Sequence, residues 1–413
     1  MKRILSLVIV ASIVVASTVN AAVSDEEIQQ LREQLAALSQ RLDELAAENA
    51  QLREVQEDST QEEVWSDRIR LDGDFRYRYE RIDPEFSDTR TRNRIRARAN
   101  IRADITDNTE VGFGLATGGD DPVSTNQTLG AGGTSKGVSL NLAYVDWEVS
   151  EGLHLIAGKF KNPLKRVGGQ PLTWDGDWTP EGLAFKYNRG WFFANALGNY
   201  FESDSSKDND NFSWGGQIGA SGTIGAVKLT GGLGYYSIAT KGETTTFGDP
   251  ADPGDFFGNT AIEPGGLPCG TTPGIECVYL YDYELTQVFA EAEFNLGDWP
   301  VLMFFDYMNN SDPSDNDTGW LLGGRVGQAK DRGQMQFTYY YAEKEADSML
   351  GLVTDSDFGG GGTDSTGHWL QFNYGVNKSW TIGAQYFINE VDLASGNKSD
   401  YNRLMIDMQW KWK

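Results

Sequence analysis

Residues 89–105 read TRTRNRIRARANIRADI. Arginine stands at positions 90, 92, 94, 96, 98 and 102, and Asn100 fills the one gap, so every cation falls on an even number. The odd positions carry Thr91, Asn93, Ile95, Ala97, Ala99, Ile101, Ala103 and Ile105. A period of two belongs to a β-strand, whose successive side chains point to opposite faces; a helix would spread these arginines around its whole surface. The stretch therefore predicts a strand with one cationic face and one face of small apolar groups. The segment before it, RIRLDGDFRYRY at 68–79, alternates in the same sense. Arg68, Arg70, Asp72, Asp74, Arg76 and Arg78 oppose Ile69, Leu71, Phe75, Tyr77 and Tyr79.

The pattern continues to the end of the chain. Strands are predicted near 66–82, 89–105, 109–117, 138–150, 153–161, 181–188, 191–202, 213–224, 226–240, 279–297, 300–311, 319–330, 334–345, 367–377, 380–393 and 400–413, about sixteen in all. Their connections alternate. Short turns such as TDN (106–108), NRG (188–190) and NKS (377–379) are interleaved with long polar, acidic loops at 118–137, 162–180, 203–212, 241–278 and 346–366. Short turns on one rim and long loops on the other describe an up-and-down transmembrane β-barrel. A soluble sandwich has no reason to alternate so regularly.

The last strand tells which face meets lipid. In YNRLMIDMQWKWK the even positions Leu404, Ile406, Met408, Trp410 and Trp412 can sit in hydrocarbon, and the odd ones, Arg403, Asp407, Gln409 and Lys411, must be wet. A closed barrel satisfies its own backbone hydrogen bonds, so the polar face can line a water-filled lumen. The same parity turns Arg90, Arg92, Arg94, Arg96, Arg98 and Arg102 inward, with Arg68, Arg70, Arg76 and Arg78 beside them. Pairing the two strands through the 83–88 turn sets Arg78 against Arg94, Arg76 against Arg96, Asp74 against Arg98 and Arg68 against Asp104. Four arginines then meet without a carboxylate between them, and like charges directly opposite are destabilising. Asp175, Asp177 or a passing anion is expected to offset them.

The barrel is preceded by other elements. Residues 1–21, MKRILSLVIVASIVVASTVNA, have the basic start, apolar run and small residues of an export signal. In residues 22–60, Ile28, Leu31, Leu35, Leu38, Leu42, Leu45, Asn49 and Leu52 are spaced alternately three and four. That spacing predicts a coiled-coil helix needing a partner, with Asn49 setting register. The barrel domain takes residues 61–413. Export brings an oxidising compartment, and a disulfide is expected between Cys269 and Cys277 in LPCGTTPGIECVY.

Composition limits function. The chain has 413 residues and a formal net charge of -25, which repels nucleic acid. With two histidines, neither in a recognisable triad, neither an enzyme nor a metal or cofactor site is expected. By parity with Ile156 and Phe160, His154 is expected on the outer face. A β-rich surface binding protein or adhesin without a pore is the alternative.

Several motifs carry a resemblance. RTRNRIRARANIRADITDNTEVGFGLATG, DDPVSTNQTLG, LAYVDWEVSEGLHLIAGKFKNPL and WDGDWTPEGLAF resemble the putative porin family of Gram-negative outer membranes, similar in plan to phosphate-selective porins. The resemblance is specific over 66–190 and one of pattern elsewhere. It implies a trimeric, water-filled, sixteen-stranded channel for small ions and solutes, set among outer-membrane lipid and lipopolysaccharide, with the coiled coil as a periplasmic trimerisation stalk. By analogy with such channels, the third long loop, NPLKRVGGQPLTWDGDWTP at 162–180, narrows the pore. Lys165, Arg166, Asp175 and Asp177 become constriction candidates, with Glu181 just beyond and Lys159 and Lys161 on the strand leading in. Such barrels end in an aromatic residue, and this chain departs from that by ending Trp412-Lys413. The basic wall favours anions; the acidic loops oppose it.

Overall fold

The computed structural model describes residues 25–59, 65–204, 206 and 211–413. The expected export signal lies outside them. Helix α1 (Asp25–Ser59) belongs to a unit separate from the β-structure. Its seam residues Leu35, Leu38, Leu42 and Leu45 are 50–67% exposed on the single chain. A helix of alternating charges with an open leucine stripe is stable where a second helix covers that stripe. The side chains of Ile28, Leu31 and Leu52 are outside the described residues. Among the described residues no helix is long and apolar enough to cross a membrane.

From Ile69 onward the chain is strand and loop. The strands are β1 (Ile69–Pro84), β2 (Arg90–Thr106), β3 (Thr109–Thr117), β4 (Gln127–Thr128), β5 (Val138–Ser150), β6 (Leu153–Lys159), β7 (Glu181–Arg189), β8 (Phe192–Glu202), β9 (Asn211–Ile224), β10 (Val227–Ile238), β11 (Ala261–Ile262), β12 (Val278–Tyr279), β13 (Tyr283–Leu296), β14 (Trp299–Asn310), β15 (Thr318–Gly327), β16 (Met335–Lys344), β17 (Ser365–Asn377), β18 (Trp380–Val391) and β19 (Ser399–Trp412). Three of them, β4, β11 and β12, are two-residue pieces inside loops. The other sixteen form one antiparallel barrel. It closes where β19 pairs with β1, from Gly73 opposite Trp412 to Pro84 opposite Tyr401. Closure removes both sheet edges, which a membrane requires.

The alternation read from sequence is the alternation of the wall. On β19, Ile406, Met408 and Trp412 are exposed outside, while Arg403, Met405 and Asp407 are buried inside. On β16, Met335, Phe337 and Tyr339 face out, and Thr338, Tyr340 and Ala342 face in. Strand ends differ by a few residues from the pattern. The strand expected from 279 begins at Tyr283, and β6, expected to run to 161, ends at Lys159, because the chain leaves the wall at Phe160 and turns into the lumen.

The long-loop half of the lumen is occupied. Loops L3 (160–180), L5 (239–282) and L7 (345–364) fold inward and bury an apolar cluster against the wall. Trp174 stacks on Trp178 with ring centroids 4.9 Å apart and meets Tyr236 edge-on at 5.0 Å. In L7, Met349, Leu350, Leu352 and Val353 are all at most 4% exposed. Asn259 of L5 ties the two loops, donating to Ala346 O at 2.7 Å and Met349 O at 2.9 Å and accepting from Gly351 N at 2.8 Å. L7 was expected to be a polar outer loop and is instead an inner plug. Its apolar run at 349–353 is the local reason, since those side chains gain by leaving water.

Candidate functional site in the barrel lumen

The register of β1 and β2 sets Arg78 opposite Arg94, Arg76 opposite Arg96, and Asp74 opposite Arg98. Each arginine then finds a different solution. Arg98 donates to Asp74 at 2.8 Å and to Asp177 at 2.8 Å. Arg96 donates to Asp74 at 2.9 Å and reaches Asp177 at 3.5 Å. Arg78 makes a two-pronged contact with Asp407 at 2.7 and 2.9 Å and touches Asp357 of L7 at 3.3 Å. Glu80 is shared by Arg92 and Arg403. Near the short-turn rim, Arg70 bonds Asp104 and Glu110, both at 2.6 Å, and Arg102 bonds Asp72. Arg68 sits in the turn Trp65–Arg68 ahead of β1, next to the pair Ile69 and Ala103, and Asp104 accepts from Arg70.

Of the four arginines at the Arg78–Arg94 and Arg76–Arg96 steps, Arg76 and Arg94 have no carboxylate at ion-pair distance among the described residues. Arg76 donates to Asn126 Oδ1 and Arg94 lies 3.5 Å from Ser124 Oγ, both acceptors in the 118–137 loop, here L2. The Nε atoms of both are buried and unpartnered among the described residues. L2 reaches them because its strand β4 pairs with β2, setting Thr128 opposite Arg94. Arg90 lies at the long-loop rim opposite Ile82 and is exposed.

L3 crosses the lumen between this ladder and the far wall. At one end Asp177 meets Arg96 and Arg98. At the other, Lys165 bonds Glu291 of β13 at 2.7 Å, and its backbone N–H donates to Gln217 of β9 at 2.6 Å. The Gly168 N–H donates to Glu291 at 2.7 Å. Gly168 adopts φ 62°, and a Cβ there would lie 2.5 Å from the Phe304 ring. Only glycine accepts both the dihedral and the contact. Gly168→Val is therefore expected to push the tip of L3 off the wall, raising single-channel conductance while heat-modifiable gel migration still reports a folded barrel.

L3 and L7 meet at two aspartates with opposite electrostatics. Burial would raise Asp177, but Arg96, Arg98 and Arg76 overcome it and hold its carboxyl below the usual range. Burial raises Asp175 well above the ordinary carboxylate value, and repulsion from Asp177 and Asp355 adds to this. Asp175 accepts from Asp177 N at 2.7 Å and from Ser356 N of L7 at 3.2 Å. In L7, burial likewise raises Asp355, while Arg403 and Arg78 outweigh burial at Asp357 and keep it ionised.

Chambers lie on both sides of this crossing. One of about 580 Å³, on the long-loop side, is lined by Asp121, Thr125, Asp177 and Trp178. Another of about 590 Å³, toward the short turns, is lined by Arg76, Arg96, Arg166, Arg325, Lys330 and Lys411 together with Asp175, Asp355, Asp357 and Asp407. The contact of Arg96 with Asp177 stands between them.

Other expected site residues fall elsewhere. Arg166 lines the second chamber, its guanidinium lying over Gly176. Lys161 is exposed just past the end of β6. Lys159 and Glu181 are corrections. Lys159 pairs with Glu181 in register, on the face that carries Leu183 and Phe185, which are 53% and 51% exposed. That is the outward parity of the strand; at its long-loop end the pair borders the long-loop chamber, and the Lys159 Nζ bonds Glu181 at 2.7 Å and Thr179 O at 3.2 Å instead of joining the arginine ladder. His154 is a correction for the same reason. Ile156 and its partner Ala184 are buried inside, so His154 also faces the lumen, where its Nδ1 lies 2.8 Å from Asp146. Cys269 and Cys277 are joined in a disulfide within L5. Among the described residues no cluster of three His, Cys, Asp or Glu is placed to hold a metal. No local pattern in the sequence points to the carboxylates that neutralise Arg78: Asp407 arrives by barrel closure and Asp357 through L7.

A closed sixteen-stranded barrel with a polar, charge-lined lumen narrowed by inward loops is a porin. The chain belongs to the family described as "Putative porin", whose model matches residues 82–252 and 274–412. It is a channel of the outer membrane and not an enzyme. Among solved structures, the high-pH form of Pseudomonas putida OprB superposes with a TM-score of 0.55 at 13% identity, over 86% of this chain and 96% of that one. Salmonella typhi OmpF in complex with daunomycin matches with a TM-score of 0.49 at 10% identity, over 84% and 99% of the two chains. No curated protein sequence matches the chain.

Proposed function

We propose that this porin passes small hydrophilic anions in preference to cations, as a homotrimer in outer-membrane lipid and lipopolysaccharide with α1 in the periplasm. The observation that carries the preference is the charge balance of the chamber below L3. Arg76, Arg166, Arg325, Lys330 and Lys411 line it with no carboxylate at ion-pair distance among the described residues. Its four carboxylates do not cancel them. Asp357 and Asp407 are already bonded to arginines, and Asp175 and Asp355 are pushed toward their neutral forms. A polar constriction selects by the sign of its free charge. The open leucine stripe of α1 supports self-association.

Liposome swelling tests the proposal: gluconate is expected to enter faster than lysine of similar size, and faster entry of lysine overturns it. A pH dependence follows from Asp175. Its folded pKa is raised, so its contribution to stability is present at acid pH and lost as pH rises through that value. Ionisation also adds a negative charge to the chamber. Anion preference is expected to fall as pH rises through this raised value, above the ordinary carboxylate range, and Asp175→Asn is expected to weaken that dependence.

A further inference from the structure

The lower chamber has a second chemistry beside its cations. The register from β16 to β1 lays amide and hydroxyl side chains in rows on the inner wall. Thr338 stands opposite Gln371, and Gln371 opposite Gln385. One step toward the short turns, Gln336 stands opposite Asn373. A step further, Thr381 stands opposite Gln409, and Gln409 opposite Arg76. The amides therefore run directly into the uncompensated arginine. Gln371, Asn373 and Gln409 line the chamber with no protein hydrogen bond to their side chains among the described residues. Gly383 leaves the room in which the Asn373 amide lies, since a Cβ there would be 2.4 Å from Asn373 Oδ1. At the upper edge the rings of Trp369 and Phe387 border the same space.

Each part answers to a ligand group. Guanidinium and ammonium groups take a carboxylate or phosphate. An amide offers a donor and an acceptor together, which is what a hydroxyl needs. An inert water-filled wall needs neither a row of free amides nor their placement against one cation. We propose that the chamber is a binding site for a hydroxyl-rich organic anion, a sugar acid, whose anionic group lies at Arg76 and Lys411 and whose hydroxyls lie along Gln409, Gln371 and Asn373. A volume of about 590 Å³ holds such a molecule with water around it. The proposal rests on the anion preference above and adds the class of solute.

The test measures block of the chloride current through the full-length porin in a planar bilayer. Three probes are compared: glucuronate, acetate (charge without the hydroxyls) and glucose (hydroxyls without the charge). Glucuronate is expected to half-block at a concentration about tenfold below either of the others, since it alone engages both sets of groups. Gln371→Ala combined with Gln409→Ala is expected to bring glucuronate to the level of acetate. Equal block by glucuronate and acetate overturns the site while leaving anion preference standing. Equal block by glucuronate and glucose, or no block by any probe, also overturns it. Cation selectivity in a KCl gradient overturns the reading on which it rests.

Discussion

Asp177→Asn is expected to raise the chloride-to-potassium permeability ratio about tenfold, because it removes the carboxylate by which L3 meets the ladder without changing side-chain shape. Asp177 meets Arg96 and Arg98 and lies near enough to Arg76 to be held ionised by it. Taking its charge away leaves Arg76 with Asp407 as the carboxylate acting on it from a distance, and Arg96 and Arg98 with Asp74 alone. The stability cost is expected to be about 1–3 kcal/mol, the penalty of weakening charged hydrogen bonds at a part-buried site, and not the loss of the fold. The barrel is held by its ladder of backbone pairs, which this change does not touch. Gel migration after stepwise heating measures the stability effect, and reversal potentials measure the selectivity. An unchanged permeability ratio would place the ion path away from the Arg96–Asp177 contact.

Arg76→Glu together with Lys411→Glu is expected to reverse selectivity outright. Both side chains line the lower chamber without an ion pair, so both charges face the solute, and their reversal swings the local charge by four units. Arg78→Gln is expected to do less to selectivity and more to stability. Its guanidinium is 2% exposed and already occupied by Asp407 and Asp357. Glu181→Gln is the contrast. Glu181 lies 62% exposed, borders the long-loop chamber and is paired with Lys159 away from the arginine ladder, and its replacement is expected to change selectivity far less than Asp177→Asn does.

Which parts of this were legible in the sequence follows from the range of each interaction. Strand alternation is local: each residue reports its own face, so the arginine run at 90–102 located β2 and its lumen face directly. Hairpin register is nearly local. The 83–88 turn was enough to set Arg78 against Arg94 and Arg76 against Arg96, as the structure has them. Four arginines looked unpaired on that basis, and two of them, Arg76 and Arg94, remain so. Asp407 reaches Arg78 from the far end of the chain through closure, and Asp357 reaches it through a loop that folds back; no local pattern encodes either contact. The parity of Ile156 and Phe160 gives His154 and Lys159 the wrong faces, because these apolar residues face inward. Ile156 and Phe160 pack under L3 and not against lipid. In this barrel an apolar side chain marks the outer face only where no loop fills the lumen behind it. The apolar run Met349–Val353 was the one local sign that L7 lies inside.

The zero-current potential of the purified porin in a planar bilayer separating concentrated from dilute KCl tests the central claim most directly. The free cations of the lower chamber predict the sign of a chloride-permeable channel, with the Arg76→Glu, Lys411→Glu variant giving the opposite sign. A potassium-selective sign from the unmodified protein, or a potential that the double variant leaves unchanged, would contradict it.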